Sequence, residues 1–131
     1  MTLKFHHIHL KAKDVEKTAA WYQTAFGFTV FDKGVRAGGD AFVNCKTADG
    51  LVVTISGEKK GETLPKGNSG VQFGLEHFAV HTEDFEGDLA RLKSHGAKFL
   101  GEPVTLPNGV RFQFIEAPDD VRIEVMYFPK G

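Results

Sequence analysis

The fold is decided by residues 5–27, FHHIHLKAKDVEKTAAWYQTAFG, because their pattern returns at residues 75–96, LEHFAVHTEDFEGDLARLKSHG. Four identities recur at a constant offset of seventy residues, and they are His7 with His77, Asp14 with Asp84, Glu16 with Glu86 and Ala20 with Ala90. A later segment matches at the same offset, GLVVTI at 50–55 against DVRIEV at 120–125. A constant offset across a strand, a helix and a second strand indicates an internal repeat of two modules.

Each copy begins as a strand followed by a helix. Polar and apolar residues alternate over 5–11, which is typical of a strand. Asp14 is predicted to cap the start of a helix that ends at Gly27. In the second copy, the helix is predicted to start at Asp84 and to end at Gly96. The buried helix stripes are predicted at Val15, Ala19, Tyr22 and Phe26, and at Phe85, Leu89 and Leu92.

Three short strands are predicted after each helix, at 28–32, 41–47 and 51–56, then at 98–100, 110–116 and 121–127. Turns are predicted at 37–40, 48–50, 107–109 and 117–120, where Gly, Asn, Asp and Pro cluster. The sequence therefore predicts one α+β domain over 1–131, with βαβββ modules at 1–56 and 75–131. Residues 57–74 are glycine- and lysine-rich and are either a mobile linker or a lid.

Composition excludes several classes of function. The chain is 41% hydrophobic and 25% charged, as in globular proteins, and its net charge of -1 offers no basic surface for nucleic acid. The single Cys45 suits a reducing compartment, so a cytoplasmic location is expected. No apolar run reaches the roughly 20 residues that a membrane helix needs. A small molecule is the expected partner.

Strand alternation brings imidazole and carboxylate side chains to one face of each module. Where the apolar residues of the first strand face the helix, His7 and His9 face the opposite side. The same argument places His77 on that side in the second copy, with Arg122 and Glu124 of the last strand. If the two modules enclose a cleft, two His and one carboxylate form a metal site with open positions.

The motifs HHIHLKAKDVEKTAAWY, EHFAVHTEDFEGDLARLKSHG and FIEAPDDVRIEV resemble those of the vicinal-oxygen-chelate superfamily over nearly the whole chain. That superfamily includes glyoxalase I, methylmalonyl-CoA epimerase, extradiol dioxygenases, fosfomycin-modifying enzymes and bleomycin-binding proteins. The resemblance implies the glyoxalase/bleomycin resistance/dioxygenase fold, in which two βαβββ modules form a metal-binding cleft. It also implies a homodimer and one divalent metal (Ni, Zn, Mn, Co or Fe) held by His7, His77 and Glu124.

The chain departs from each familiar member at one or more positions. Glyoxalase I and the epimerases usually have a fourth ligand, Glu or Gln, where this sequence has Thr54. Extradiol dioxygenases have a catalytic Tyr at the position of Phe114, and fosfomycin enzymes have Thr at the position of His9. The resemblance therefore implies a divergent member with three metal ligands.

Several other residues are candidates for the site. Glu124 and His9 are the candidate bases, although His9 can equally be a polar residue that lines the cleft; a fourth metal ligand is a separate third option for His9. Arg122 either holds an anionic group of the substrate or pairs with Glu116 or Asp119. The remaining candidates for substrate binding are Phe112, Phe114 and Thr54.

Three functions follow from these residues and the resemblance. The first is a metal-dependent lyase or isomerase of the glyoxalase I kind, acting on a small substrate with two adjacent oxygens. The second is an Fe(II) extradiol-type dioxygenase that uses the same triad. The third is a fosfomycin-type thiol transferase, or a resistance protein that binds a small molecule without turnover. The metal bound to the purified protein discriminates among them.

Overall fold

The protein is described from a computed structural model, which covers residues 1–130. The chain divides into two compact units, Met1–Pro65 and Lys66–Gly131. Each unit contains one of the two copies found in the sequence, and each packs one helix on one sheet. The predicted α+β fold with two repeated modules is therefore confirmed.

The first unit has one strand, one helix and three further strands, in the predicted order. Its elements are β1 (His7–Lys11), α1 (Val15–Phe26), β2 (Thr29–Val35), β3 (Ala41–Lys46) and β4 (Val52–Ser56). The sheet order is β1-β4-β3-β2, with β1 parallel to β4 and the other pairs antiparallel. The strand β2 extends three residues beyond the predicted end at residue 32, because it pairs with β3 as far as Val35.

The helix α1 begins and ends where the sequence predicted. The Asp14 side chain accepts a hydrogen bond from the Lys17 backbone N–H, which would otherwise lack a partner at the helix start. Gly27 ends the helix in the left-handed conformation, with φ of 72°. The helix packs on the buried face of the sheet, whose core residues are Val43, Cys45, Val53 and Ile55. His7 and His9 therefore lie on the opposite face, as alternation predicted.

The second unit repeats this plan. Its elements are β5 (Phe78–Thr82), α2 (Phe85–Ser94), β6 (Lys98–Phe99), β7 (Val104–Thr105), β8 (Arg111–Ala117) and β9 (Val121–Tyr127). The order is β5-β9-β8-β6, with β7 also paired to β8. Asp84 caps α2, as predicted, and His95 is the residue that closes it before Gly96. The core contains Leu89 and Leu92 of the helix against Ile115, Ile123 and Val125 of the sheet.

The edge strand of the second sheet is interrupted, a feature that the sequence reasoning missed. β6 and β7 both pair with β8, and residues 101–103 leave the ladder after the Leu100 N–H donates to the Phe114 carbonyl at 2.9 Å. Gly101 has a positive φ of 86°, and Pro103 has no backbone N–H to donate. The buried Gln113 side chain donates to the Gly101 carbonyl at 3.0 Å. Its amide therefore stabilises the backbone at the interruption.

Residues 57–74 form no helix or strand, and each end is bonded to its own unit. In the first unit, the Lys60 N–H donates to the Gly38 carbonyl at 2.9 Å. In the second unit, the Ser69 hydroxyl donates to Glu116 at 2.6 Å and Lys66 pairs with Asp120 at 3.3 Å. Across residues 1–130, the helices are too short and too polar to cross a membrane.

Candidate functional site

His77 and Glu124 lie side by side on one face of the second sheet. The parallel pairing of β5 and β9 places Ala79 opposite Glu124, and His77 lies in the segment that leads into β5 at Phe78. The His77 Nε2 atom is 3.2 Å from the Glu124 Oε1 atom. The two side chains are 26% and 14% exposed. Two of the three predicted metal ligands are therefore adjacent and open to a ligand.

Glu76 contacts the other side of the same imidazole, and the sequence reasoning did not select it. Its Oε1 atom is 3.2 Å from His77 Nδ1. Alternation assigns adjacent residues to opposite faces of a strand, but β5 begins only at Phe78, so that rule does not hold for Glu76. A carboxylate can only accept, so Nδ1 donates to Glu76, and in a metal-binding His this outer hydrogen bond would hold the proton on Nδ1 and leave Nε2 for the metal.

Arg122 lies on the same face and is held by groups of its own unit. Its guanidinium carbon is 4.1 Å from the centre of the Phe114 ring, and Nη1 donates to the Ser69 carbonyl at 3.1 Å. Nε is 3.6 Å from Glu76 Oε1, so the observed ion pair involves a carboxylate that the sequence analysis had not considered. These contacts position Arg122 beside the His77–Glu124 pair.

Phe112 and Phe114 form an apolar wall on β8. The register pairs Phe114 with Glu124 and Phe112 with Met126, and the two Phe ring centres are 6.0 Å apart. The rings of Phe114 and His77 pack edge to face, and their centres are 4.9 Å apart. Both Phe side chains are half-buried. The predicted apolar surface therefore borders the His77–Glu124 pair within the second unit.

His7 begins β1 in the first unit and is exposed. Its Nδ1 atom is 2.8 Å from Nδ1 of His6, a residue to which the sequence analysis gave no role. One of these nitrogens must carry the proton that the other accepts. The contact engages His7 through Nδ1, and Nε2 lies on the far side of the ring, where it can bind a ligand.

His9 follows His7 on the same face of β1. Its Nε2 atom is 2.6 Å from the Ser56 hydroxyl oxygen. Burial lowers the pKa of His9, and the positive charges of Arg36 and Lys11 lower this pKa further, partly offset by Asp40. The neutral imidazole is therefore favoured near pH 7, the form in which His accepts a proton.

Thr54 occupies the place in the first unit that Glu124 occupies in the second. β1 and β4 pair His9 with Thr54, as β5 and β9 pair Ala79 with Glu124. The Thr54 side chain is 6% exposed, and its hydroxyl donates to Asn44 Oδ1 at 2.9 Å. The first unit therefore has an internal hydrogen bond where the second unit has a carboxylate.

Among residues 1–130, neither unit taken alone brings together three or more His, Cys, Asp or Glu side chains in a metal-binding group. The second unit supplies the pair His77 and Glu124, whose imidazole nitrogen and carboxylate oxygen suit several divalent metals. The first unit supplies His7. The set of three ligands thus draws on both units and stays a prediction.

Comparison with known proteins identifies the same architecture elsewhere. The chain is 24% identical over 128 residues to the uncharacterized protein YwbC of Bacillus subtilis, covering 95% of this chain and 97% of that protein. A glyoxalase family protein from Bacillus cereus superposes with a TM-score of 0.85 at 16% identity, covering 97% of this chain and 95% of that one. The fosfomycin resistance protein FosX of Listeria monocytogenes, in complex with Mn(II) and sulfate, superposes with a TM-score of 0.72 at 20% identity, covering 98% and 95%.

The family model described as Glyoxalase/Bleomycin resistance protein/Dioxygenase superfamily matches residues 4–125, which include both copies of the repeat. Because the match extends over nearly the whole chain, it agrees with the resemblance drawn from the motifs. The chain belongs to the glyoxalase/bleomycin resistance protein/dioxygenase superfamily.

Proposed function

We propose that the protein is a divalent-metal-dependent lyase or isomerase of the glyoxalase I kind. Its substrate is a small molecule that offers two adjacent oxygens. The ligands are His7 of the first unit and the His77–Glu124 pair of the second. The observation that carries the proposal is the 3.2 Å separation of His77 Nε2 and Glu124 Oε1, both partly open to solvent.

The donor set fits a catalytic metal. Two imidazoles and one carboxylate leave coordination positions for a substrate, and a bound divalent ion supplies Lewis-acid polarisation of the substrate carbonyl. Mn(II) is bound in the structure of Listeria FosX, which makes it the first ion to load here. Glu76 supports the set by holding His77 through Nδ1.

Proton movement is assigned to residues of the chain. Polarisation of a carbonyl makes the adjacent C–H acidic, so a nearby base can take that proton and return it elsewhere. Glu124 and His9 are the candidate bases. The apolar rings of Phe112 and Phe114 line the surface beside Glu124, and Arg122 contributes positive charge on the same face of the sheet. We further propose that the active form is a homodimer.

Elemental analysis of the purified protein tests the proposal, with the His7→Ala and Glu124→Ala variants alongside. Near one equivalent of Ni, Zn, Mn or Co that both variants lose supports it, and assays on adducts of 2-oxoaldehydes with thiols would follow. Near one equivalent of Fe would favour the dioxygenase function instead. No metal after reloading would overturn the proposal and favour a protein that only sequesters small molecules. Glu102→Ala, an exposed carboxylate in the second unit, is the matched control.

A further inference from the structure

We infer that the first unit holds a binding site for an oxyanion that carries a hydroxyl, such as a hydroxy acid or a protonated phosphate. The site is an open cleft of about 500 Å³ between β1, the turn at 36–40 and the loop at 58–62. Its polar lining consists of His9, Lys11, Arg36, Asp40, Lys59 and Glu62. Nothing in the proposed metal chemistry uses the residues of this turn and loop.

Three cations of the cleft suit an oxyanion, and two of them are held in place. The Lys11 ammonium donates to the Gly57 carbonyl at 2.9 Å. The Arg36 guanidinium pairs with Asp40 Oδ2 at 3.3 Å, and its carbon is 5.3 Å from the centre of the Phe42 ring. An anion that enters the cleft therefore meets positive groups whose positions are already fixed, which lowers the entropic cost of binding.

The cleft is built by backbone hydrogen bonds that join the turn to the loop. The Arg36 N–H donates to the Asp40 carbonyl at 2.9 Å, which closes the turn. The Lys60 N–H donates to the Gly38 carbonyl at 2.9 Å, which ties the loop to that turn. Glu62 Oε1 accepts from the Lys59 N–H at 3.1 Å, which holds this carboxylate within the loop without cancelling its charge.

Asp40 gives the cleft its specificity for a hydroxyl. The side chain is 1% exposed, and Oδ2 pairs with Arg36, while Oδ1 has no hydrogen-bond partner among the described residues. A buried carboxylate oxygen without a partner is costly, so a donor from a ligand would be stabilised there. An ionised carboxylate accepts but does not donate, so it would favour an oxyanion that bears a proton over one that has none.

Gly38 and Lys59 control access to this oxygen. A Cβ atom at Gly38 would lie 3.2 Å from Asp40 Oδ1 and 3.2 Å from Cγ and Cδ of Lys59. The aliphatic part of the Lys59 side chain therefore borders the space beside Asp40 Oδ1. This side chain is flexible and must turn aside for a ligand to reach that oxygen. Gly38 itself adds no side chain to this cover.

The cleft is lined in part by residues of β1, the strand that also carries a proposed metal ligand. His9 and Lys11 follow His7 on one face of the strand at two-residue steps, each roughly 7 Å long. If the proposed function holds, the oxyanion is part of the substrate and the enzyme acts on hydroxylated anions; this extension rests on the proposed function. The binding site itself does not, because none of its contacts requires a metal.

The test is a titration of chelator-treated, metal-free protein with inorganic phosphate and, separately, with sulfate at constant ionic strength, followed by amide NMR shifts. Phosphate should produce saturable shifts at 36–40 and 58–62, with an affinity about tenfold or more above that for sulfate. Asp40→Asn should remove this preference, since an amide donates as well as accepts. Equal affinities for the two anions in the wild type, or no saturable shift with phosphate, would overturn the inference.

Two charge variants and a matched control identify the cations. Arg36→Gln and Lys59→Gln should each weaken phosphate binding by about tenfold. Arg36→Gln leaves buried Asp40 without its ion-pair partner and can prevent folding. Lys59 is on an exposed loop, so Lys59→Gln still tests the site in that case. Lys33→Gln removes an exposed cation of the same unit outside the cleft and should bind as the wild type does. A loss in Lys33→Gln equal to that in Lys59→Gln would contradict a specific site.

The two proposals fail separately. Phosphate binding by a protein that takes up no divalent metal would leave the oxyanion site standing and remove the proposed enzyme function. Metal uptake that depends on His7 and Glu124, without phosphate binding to the metal-free protein, would overturn the oxyanion site alone.

Discussion

Glu76 and Glu124 approach opposite nitrogens of the His77 ring, each with a carboxylate oxygen 3.2 Å away. Only one of the two nitrogens can bind a metal, and the other then donates a hydrogen bond. Glu124 lies within β9, the last strand of the second unit, whereas Glu76 lies just before the start of β5. In the proposed metal site, Nε2 would therefore bind the metal and Nδ1 would donate to Glu76.

Glu76→Ala should weaken metal binding without abolishing it. Removal of the carboxylate frees the His77 ring to rotate and to place its proton on either nitrogen, and such losses typically cost about 10- to 100-fold in metal affinity. The measurement is competition with a chromophoric chelator for Mn(II) or Zn(II). Glu102→Ala serves as the control, and equal affinities of the two variants would show that Glu76 does not support His77.

Arg122→Lys should lower the free energy of unfolding by about 1 kcal/mol, because a lysine keeps the charge but loses the planar contact with Phe114. The Ser69 carbonyl also loses a donor of fixed direction. Urea unfolding followed by circular dichroism measures the effect. An unchanged midpoint would mean that these contacts contribute little and that Arg122 is available chiefly for a ligand.

Gly87→Ala should fail to stabilise α2, although alanine favours a helix over glycine by about 1 kcal/mol. A Cβ at Gly87 would collide with the Asp84 carboxylate, which caps the helix by accepting the Gly87 N–H at 3.1 Å. The cap is worth about 1 kcal/mol, so the two effects nearly cancel.

The Asp84→Ala background separates the two effects in α2. With the carboxylate gone, Gly87→Ala should raise the free energy of unfolding by about 1 kcal/mol, as helix propensity alone predicts. The four proteins form a double-mutant cycle in chemical denaturation. Additive behaviour across the cycle would contradict a steric conflict between Asp84 and residue 87.

The sequence predicted the elements of both units because local signals specify them. Asp14 and Asp84 cap their helices, and alternation set the face of His7. The interruption of the edge strand was missed, because it depends on a long-range bond from Gln113 to Gly101. Strand periodicity carries no information about such a bond.

The candidate site was predicted less completely than the fold. Alternation put His77 and Glu124 on one face of the second module, and the parallel pairing of β5 with β9 brings them together in the structure. Glu76 was missed because it precedes β5, where strand alternation does not assign a face. Arg36 and Asp40 were missed because their approach to Lys11 depends on how a turn folds against a strand, which spacing alone does not give.

Cys45 should make the stability of the wild type more sensitive to alkaline pH than that of Cys45→Ala. The thiol is fully buried, and burial raises its pKa. From about pH 8.5 upward the thiol ionises in the unfolded state while it stays protonated in the folded state. The contribution of the thiol to the free energy of unfolding is therefore complete below that pH and is lost as pH rises through the folded pKa. Lysine and tyrosine titrate in both proteins, so their effects cancel in the comparison. The measurement is the thermal unfolding midpoint of each protein at pH 7 and at pH 10. The difference between the midpoints of the wild type and the variant should be smaller at pH 10. An unchanged difference would mean that the thiol ionises equally in the folded and unfolded states.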